Sequence, residues 1–287
     1  MIENAIDGVA YRLKEQRRLD FLSRYGKVFC VFDENDSGNL SFGVGCAEER
    51  YFIKIAGLKT ICSHTPTEVA IANLIRAVKV YKDIRHPNLI QLLDHYALDD
   101  LYIAVFKWVD GDCLFDHWNF DKYAQDQTLI PPRDRFRLLP LQKRLAAFDT
   151  LVSFLSTVID CGYVAVDLYD GSLMYDFQRD RLTLCDIDLF EKTPYTNPIG
   201  RMWGSARFMS PEEYRLGADI DEVTNVFTLG ALSFAFFGDD QEKNFETWDA
   251  GKALYAVAAR AMDPAREKRY QSIRAFAQNW HEAKLKF

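Results

Sequence analysis

The chain has 287 residues, 48% of them hydrophobic, with a net charge of −7 and a pI of about 5.3. A chain this long can bury a large core, and its acidic balance excludes a protein that holds nucleic acid by bulk electrostatics, which needs an excess of Lys and Arg. No segment supplies about 18 uninterrupted apolar residues and the amino terminus carries no apolar leader core, so no membrane partner and a cytoplasmic location are expected.

Residues 9–23 place Ala10, Leu13, Leu19, Phe21 and Leu22 at helical spacing among basic residues, which predicts an amphipathic leading helix. From Lys27 to Ala56 the texture changes to short β-branched and aromatic runs separated by Asn, Asp, Ser and Gly, the pattern of three antiparallel strands joined by hairpins. Residues 67–84 return to helical period, and residues 86–109 give two more strand-like runs around an Asp-Asp turn. Five strands and one helix make a plausible small lobe.

Beyond Gly111 the pattern turns helical. Residues 117–138, with Pro131 and Pro132, read as a connecting segment, and 139–161 as a strong helix. VAVDL and LTLCDID read as short strands, and helical segments occur near 211–216, 224–237 and 252–262. The charges balance up to residue 109, so the net negative charge lies wholly in the second part of the chain. That fits metal-binding carboxylates and a basic substrate, or simply a solvated acidic surface. Six cysteines (Cys30, Cys46, Cys62, Cys113, Cys161, Cys185) form no CxxC pair and read as reduced and mostly buried.

Taken in order, RYFIKIA, HPNLIQL, VAVDLYDGSLMYD, CDIDLF, GSARFMSPEE and TNVFTLGA resemble the eukaryotic-type (Ser/Thr) protein kinases over nearly the whole chain, in a divergent form that is bacterial-type or a pseudokinase. The resemblance implies an α+β, bilobal protein-kinase-like fold. Residues 1–110 would form a small antiparallel β lobe with one helix and a hinge at 106–111, and residues 111–287 a larger, mainly helical lobe. It also implies ATP and Mg2+ as cofactors, with Mn2+ as a substitute. Lys54 matches the strand lysine that pairs the ATP phosphates. Asp167 stands where a catalytic aspartate orients the substrate hydroxyl, and Asp186 where a magnesium ligand is expected. Phe106 takes the gatekeeper place behind adenine, and the backbone of Lys107, Trp108 and Val109 would meet the base. Glu212, in Ser210-Pro211-Glu212, would form a buried bidentate pair with Arg269. Gly204-Ser205 matches a substrate-side loop, and Asn225 the residue that braces the catalytic loop.

The departures are as informative. Ser172 replaces the asparagine metal ligand, with Asp170 as an alternative oxygen, and Asp188 replaces a glycine and could hold a second metal or cap a turn. Ala165 and Val166 replace the usual His and Arg before Asp167, and Tyr169 the usual Lys after it. Loss of that Arg implies activation without phosphate docking, although Thr193, Tyr195 and Thr196 lie in the activation segment. Aligning Gly38 and Leu40 with the last glycine and valine of the phosphate-covering loop puts Asp33 and Asn35 at the earlier glycines, where Asp33 and Asp36 would repel phosphate. The helix position that normally carries a glutamate is Ala77, which leaves Lys54 to pair with Asp186, with phosphate, or with a displaced Glu68. Three functions stay open: an ATP- and Mg2+-dependent Ser/Thr protein kinase acting on a protein substrate, basic or otherwise; a pseudokinase serving as a nucleotide-sensing or protein-binding scaffold; and a small-molecule phosphotransferase. Nothing in the pattern specifies an oligomeric state.

Overall fold

A computed structural model describes residues 1–34, 37–116 and 119–286. The chain divides into two compact units: Met1–Asp83 with Ile90–Val109, and Ile84–Leu89 with Asp110–Phe287. The architecture is mixed α+β, antiparallel and sheet-rich in the first unit and mainly helical in the second, consistent with a bilobal kinase-like fold.

The segment expected to be a leading helix is a β-hairpin. β1 (Ile2–Ile6) and β2 (Val9–Leu13) pair antiparallel with Ile6 opposite Val9. The cause is local: Asp7 and Gly8 take φ of 52° and 86°, and Asp-Gly at two positive-φ positions makes the tight turn whose twist suits a hairpin. Leu19 precedes a 3-10 turn, Asp20–Tyr25, that holds Phe21 and Leu22. Tyr11, Leu13, Leu19 and Leu22 are buried in one cluster with Phe42, Val44, Ile53, Ile55, Ile103 and Val105. Leu13→Ala is therefore expected to cost about 3 kcal/mol in denaturant unfolding, as for other buried leucines, whereas a solvated helix would make the change near neutral.

β3 (Lys27–Phe32), β4 (Leu40–Gly45), β5 (Arg50–Ala56), β6 (Leu92–Leu98) and β7 (Leu101–Lys107) form one antiparallel sheet in the order β3-β4-β5-β7-β6. Side chains alternate between its faces. Phe42, Ile53 and Val105 point to the hairpin, and the register sets Ser41, Lys54 and Ala104 in one row of the other face with Gly43, Phe52 and Phe106 in the next. Helix α1 (Thr67–Asp83) covers this second face with an apolar stripe that includes Leu74, Ala77, Val78 and Tyr81, and the Tyr81 ring meets Phe106 edge-on at 4.8 Å.

In the second unit β8 (Asp112–Cys113) precedes α2 (Phe120–Gln125), α3 (Pro132–Arg137) and α4 (Leu141–Asp160). The expected connecting segment thus holds two short helices. In the second of them, proline sits at the first turn, where its missing N–H costs nothing. His117 and Trp118 lie outside the described residues. β9 (Tyr163–Val164) ends sooner than VAVDL suggested, because Asp167 leaves the extended region at φ 60°. β10 (Leu173–Asp176), unforeseen, pairs with β11 (Arg181–Leu184) around Asp180. β12 (Glu191–Lys192) pairs with β9, and β13 (Tyr195–Thr196) with β14 (Asp219–Ile220).

Helices α5 (Glu222–Phe237), α6 (Gly251–Ala261) and α7 (Ile273–Lys284) close the unit. Helix α5 is apolar nearly all round and buried along most of its length, as expected of a central helix. Its N-terminus is capped by Asp221, which accepts from the amides of Val223 and Thr224. A Cβ at Gly230 would stand 2.8 Å from the Ala261 Cβ, so glycine here permits the close approach of α5 and α6. Phe148, Phe236, Phe237, Phe276 and Trp280 join α4, α5 and α7 in one aromatic core. All six cysteines are free, but Cys46 and Cys62 are exposed and the other four half-buried, not mostly buried as expected. No helix among the described residues is long and apolar enough to cross a membrane.

Candidate functional site

The residues singled out in the sequence are divided between the units. Gly38, Lys54, Phe106, Lys107, Trp108 and Val109 belong to the first, and Asp167, Ser172, Asp186 and Asp188 to the second.

In the first unit Lys54 is half-buried on β5, in the row with Ser41 and Ala104. The register overturns one alignment: Leu40 pairs with Ile55 and is sealed in the hairpin-covered core, whereas Ser41 pairs with Lys54. Leu40 therefore stands on the opposite face from Lys54, and the β4 residues facing as Lys54 does are Ser41 and Gly43. Gly38 has φ +83°, and a Cβ there would lie 3.1 Å from the Ala70 Cβ on α1. Both the left-handed backbone and the close approach demand glycine.

The expected repulsion at Asp33 is quenched by the hairpin that was not foreseen. Arg12 on β2 donates to Asp33 through its backbone amide (3.0 Å), Nε (2.9 Å) and Nη2 (3.0 Å), and to Glu34 at 2.7 Å. Burial by itself would raise the Asp33 carboxyl, but these hydrogen bonds outweigh it and hold the group below its ordinary value. Asn35 and Asp36 lie outside the described residues. Ala77 is buried on α1, and Glu68 is exposed in its first turn.

Phe106 is 1% exposed, in the row of Phe52, and the two rings stand 6.3 Å apart. The amides of Lys107 and Trp108 are already spent on the carbonyls of Gln91 (2.9 Å) and Arg50 (3.0 Å). Their N–H groups are therefore committed within the first unit.

In the second unit Asp167 and Asp186 share an uncommon backbone state, φ 60° and 25°. Such values in a non-glycine residue, away from a hairpin turn, mark positions whose surroundings enforce them. The Asn225 side chain on α5 accepts from the Ala165 amide and donates to its carbonyl, both at 2.8 Å, bracing the loop two residues before Asp167. Ser172 is buried in a 3-10 turn (Asp170–Ser172), and its Oγ donates to the Asp167 carbonyl at 3.5 Å. The Ser172 carbonyl in turn accepts from the Cys185 amide at 2.8 Å, tying the Asp167 loop to the residue before Asp186.

Electrostatics register the same convergence. Burial first, then the charges of Asp167 and Asp186, push the Tyr169 hydroxyl well above its ordinary value. Burial, with Asp170, Asp116 and Asp186, pushes the Cys113 thiol up to about 12. Asp186 is exposed and Asp188 half-buried, separated by the fully buried Ile187. Asp170, the alternative oxygen, is buried and bonded bidentately to Arg207 at 2.7 and 2.8 Å. Among the described residues no group of three or more His, Cys, Asp or Glu side chains could hold a metal ion by itself.

Asp167, Gly204, Ser205, Glu213 and Thr228 border a cavity of about 10 Å3. Glu212, 2% exposed, accepts from Arg269 Nη1 (2.7 Å) and Nη2 (3.0 Å), the bidentate pair the resemblance implied. Arg266 Nη1 (2.6 Å) and Thr224 Oγ1 (3.1 Å) donate to it as well. Sequence reasoning passed over the next residue, because two consecutive glutamates look like a solvated pair. Glu213 is 4% exposed and accepts from the Ser210 amide (2.6 Å) and hydroxyl (2.9 Å).

Burial, aided by Glu212, pushes the Glu213 carboxyl up to about 7 against the Ser210 hydrogen bonds and Arg269. A raised carboxyl contributes stability that is fully present below its ordinary value and lost as pH rises through 7. Glu213→Gln, an isostere of the protonated form, is expected to leave the melting temperature unchanged at pH 4 and to stabilise the protein by up to about 3 kcal/mol at pH 8. Equal melting temperatures of the two proteins across that range would show that Glu213 is ionised like a surface residue.

No protein-family model matches the chain. Among curated proteins it is similar to serine/threonine-protein kinase 36 of Pongo abelii, 29% identical over 92 residues, which are 32% of this chain and 7% of that protein. It is also similar to "Probable serine/threonine-protein kinase pXi" of Dictyostelium discoideum, 21% identical over 165 residues, 56% of this chain and 21% of the relative. A third similarity is to serine/threonine-protein kinase nekl-2 of Caenorhabditis elegans, 19% identical over 177 residues, 62% of this chain and 48% of the relative. The chain spans less than half the length of each of these relatives. It is thus distantly similar to serine/threonine-protein kinases, with an architecture consistent with their bilobal fold.

Proposed function

We propose that the protein is an ATP- and Mg2+-dependent phosphotransferase acting on Ser/Thr hydroxyls of a protein substrate. The observation that carries this reading is Asp167: held at φ 60°, braced through Ala165 by Asn225, and bordering one cavity with Gly204 and Ser205. A half-buried carboxylate fixed in this way suits a group that orients an incoming hydroxyl and takes its proton. The buried Glu212–Arg269 pair favours a protein acceptor over a small molecule.

The donors fit magnesium that arrives with a nucleotide, because Mg2+ keeps several waters and takes one or two carboxylates along with phosphate oxygens. Asp186 and Asp188 supply the carboxylates. Ser172 fits metal least, since its hydroxyl is buried and turned to the Asp167 carbonyl, and its part is to hold the loop. Lys54 supplies the charge for phosphate and Gly38, at φ +83°, the turn of the loop expected to cover it. The Phe106 ring, the carbonyls of Lys107 and Trp108, and the Val109 amide supply the base site. ATP, when bound, supplies the transferable phosphoryl group.

A second reading, a pseudokinase that senses nucleotide or binds protein, draws on the face that carries Lys54. Phe52 lies between Phe32 at 5.7 Å and Phe106 at 6.3 Å, so aromatic rings crowd the lysine's own row and the next. Incubating the protein with labelled ATP, Mg2+ or Mn2+ and a generic basic protein separates the two. Transfer supports the enzyme, whereas a nucleotide-dependent rise in melting temperature without transfer under either metal supports the sensor. No melting shift with ATP or ADP would remove the nucleotide role of Lys54.

A further inference from the structure

Arg207 follows Ser205 by two residues and donates from all three of its guanidinium nitrogens inside the second unit. Nε donates to Ser205 Oγ at 3.2 Å, Nη1 and Nη2 donate to the Asp170 carboxylate at 2.8 and 2.7 Å, and Nη1 also meets Asp240. Asp240 is fully buried and is shared with Arg133. The guanidinium lies 4.7 Å from the centre of the Phe115 ring and 4.6 Å from that of Phe208. One side chain thus joins the segment that carries Gly204 and Ser205 to a residue three positions after Asp167.

Buried ion pairs contribute little to stability, because desolvation offsets their attraction. Burial raises the Asp170 carboxyl above its ordinary value despite Arg207, with Asp240 adding to the rise. What such a network supplies is a fixed relative position, and the planar fork suits this because it binds a carboxylate in one orientation. Nothing in the contact depends on an added group, since both carboxylates belong to the chain.

We propose that Arg207 is a positioning residue: a built-in latch that holds the Gly204–Ser205 segment on the Asp167 loop through Asp170, without a phosphate on Thr193, Tyr195 or Thr196. Its catalytic consequence rests on the phosphotransfer reading, but the latch itself does not. Lysine at 207 keeps the charge and loses the fork, so Arg207→Lys should act like Arg207→Ala on the segment while better preserving the fold.

The test is amide hydrogen exchange of residues 197–209 in the full chain, alongside transfer from ATP. Arg207→Lys and Asp170→Asn are each expected to speed exchange of this segment at least tenfold while that of helix α5 stays unchanged. If transfer is measurable, they should lower kcat about tenfold or more with little change in KM for ATP. The triple variant Thr193→Val, Tyr195→Phe, Thr196→Val should match the wild type within about twofold in both readouts. Unchanged segment exchange in Arg207→Lys overturns the latch, and so does a triple variant whose segment loosens. Absence of transfer from the wild type would count against the phosphotransfer reading alone, since the exchange comparison still decides the latch.

Discussion

Replacing Arg269 by alanine is expected to destabilise the protein by about 3–5 kcal/mol, because it strands the buried Glu212 carboxylate without its bidentate partner. In a unit of this size that is a fall in melting temperature of roughly 10 °C. The loss depends on pH in a definite sense. Burial by itself would raise the Glu212 carboxyl, but Arg269 and Arg266 outweigh it and hold the group below its ordinary value. The stability this contributes is present above the ordinary carboxyl value and is lost as pH falls from there through the lowered one. The gap between wild type and Arg269→Ala should therefore narrow as the protein is acidified. Arg269→Met combined with Glu212→Gln should cost less than Arg269→Ala alone, since no charge is then left buried. A melting temperature insensitive to Arg269→Ala would mean that the pair does not hold the segment.

The second large effect concerns chemistry rather than stability. Asp167→Asn is expected to lower phosphate transfer by about 10²–10⁴-fold, the range for loss of a general base, with melting unchanged. Asparagine is the informative replacement because it tolerates φ near 60° as well as aspartate does, so lost transfer would reflect the missing carboxylate and not a collapsed loop. An Asp167→Asn protein that transfers phosphate at the wild-type rate would move the proton-accepting role elsewhere.

Two of the contacts around the site were legible only through the resemblance that the motifs carry. Glu212–Arg269 and Asn225–Ala165 are contacts between residues far apart in sequence, yet each depends on one residue type at one place in an ordered series of motifs. The five strands and α1 were legible because period-2 and helical runs there are bounded by turn residues. The amino-terminal hairpin was not, because Ala10, Leu13, Leu19, Phe21 and Leu22 match a helical stripe while the decisive signal is the single Asp7-Gly8 pair. Leu40 was misplaced for a similar reason: a one-residue slip of register turns a side chain to the other face. Arg207 and Glu213 stayed hidden because charged residues are usually solvated, and only packing shows that Glu213 is buried and the Arg207 side chain largely so.

The hairpin also bears on where this fold can be cut. If the chain is shortened to begin at Lys27, all five strands and α1 remain, but Phe42, Val44, Ile53 and Val105 lose the cover of Tyr11, Leu13, Leu19 and Leu22. A bare apolar sheet face of that kind is an aggregation site. Trimming to the recognisable motifs would then yield insoluble material, and the insolubility would be mistaken for a defect of the site when its origin is the other side of the sheet.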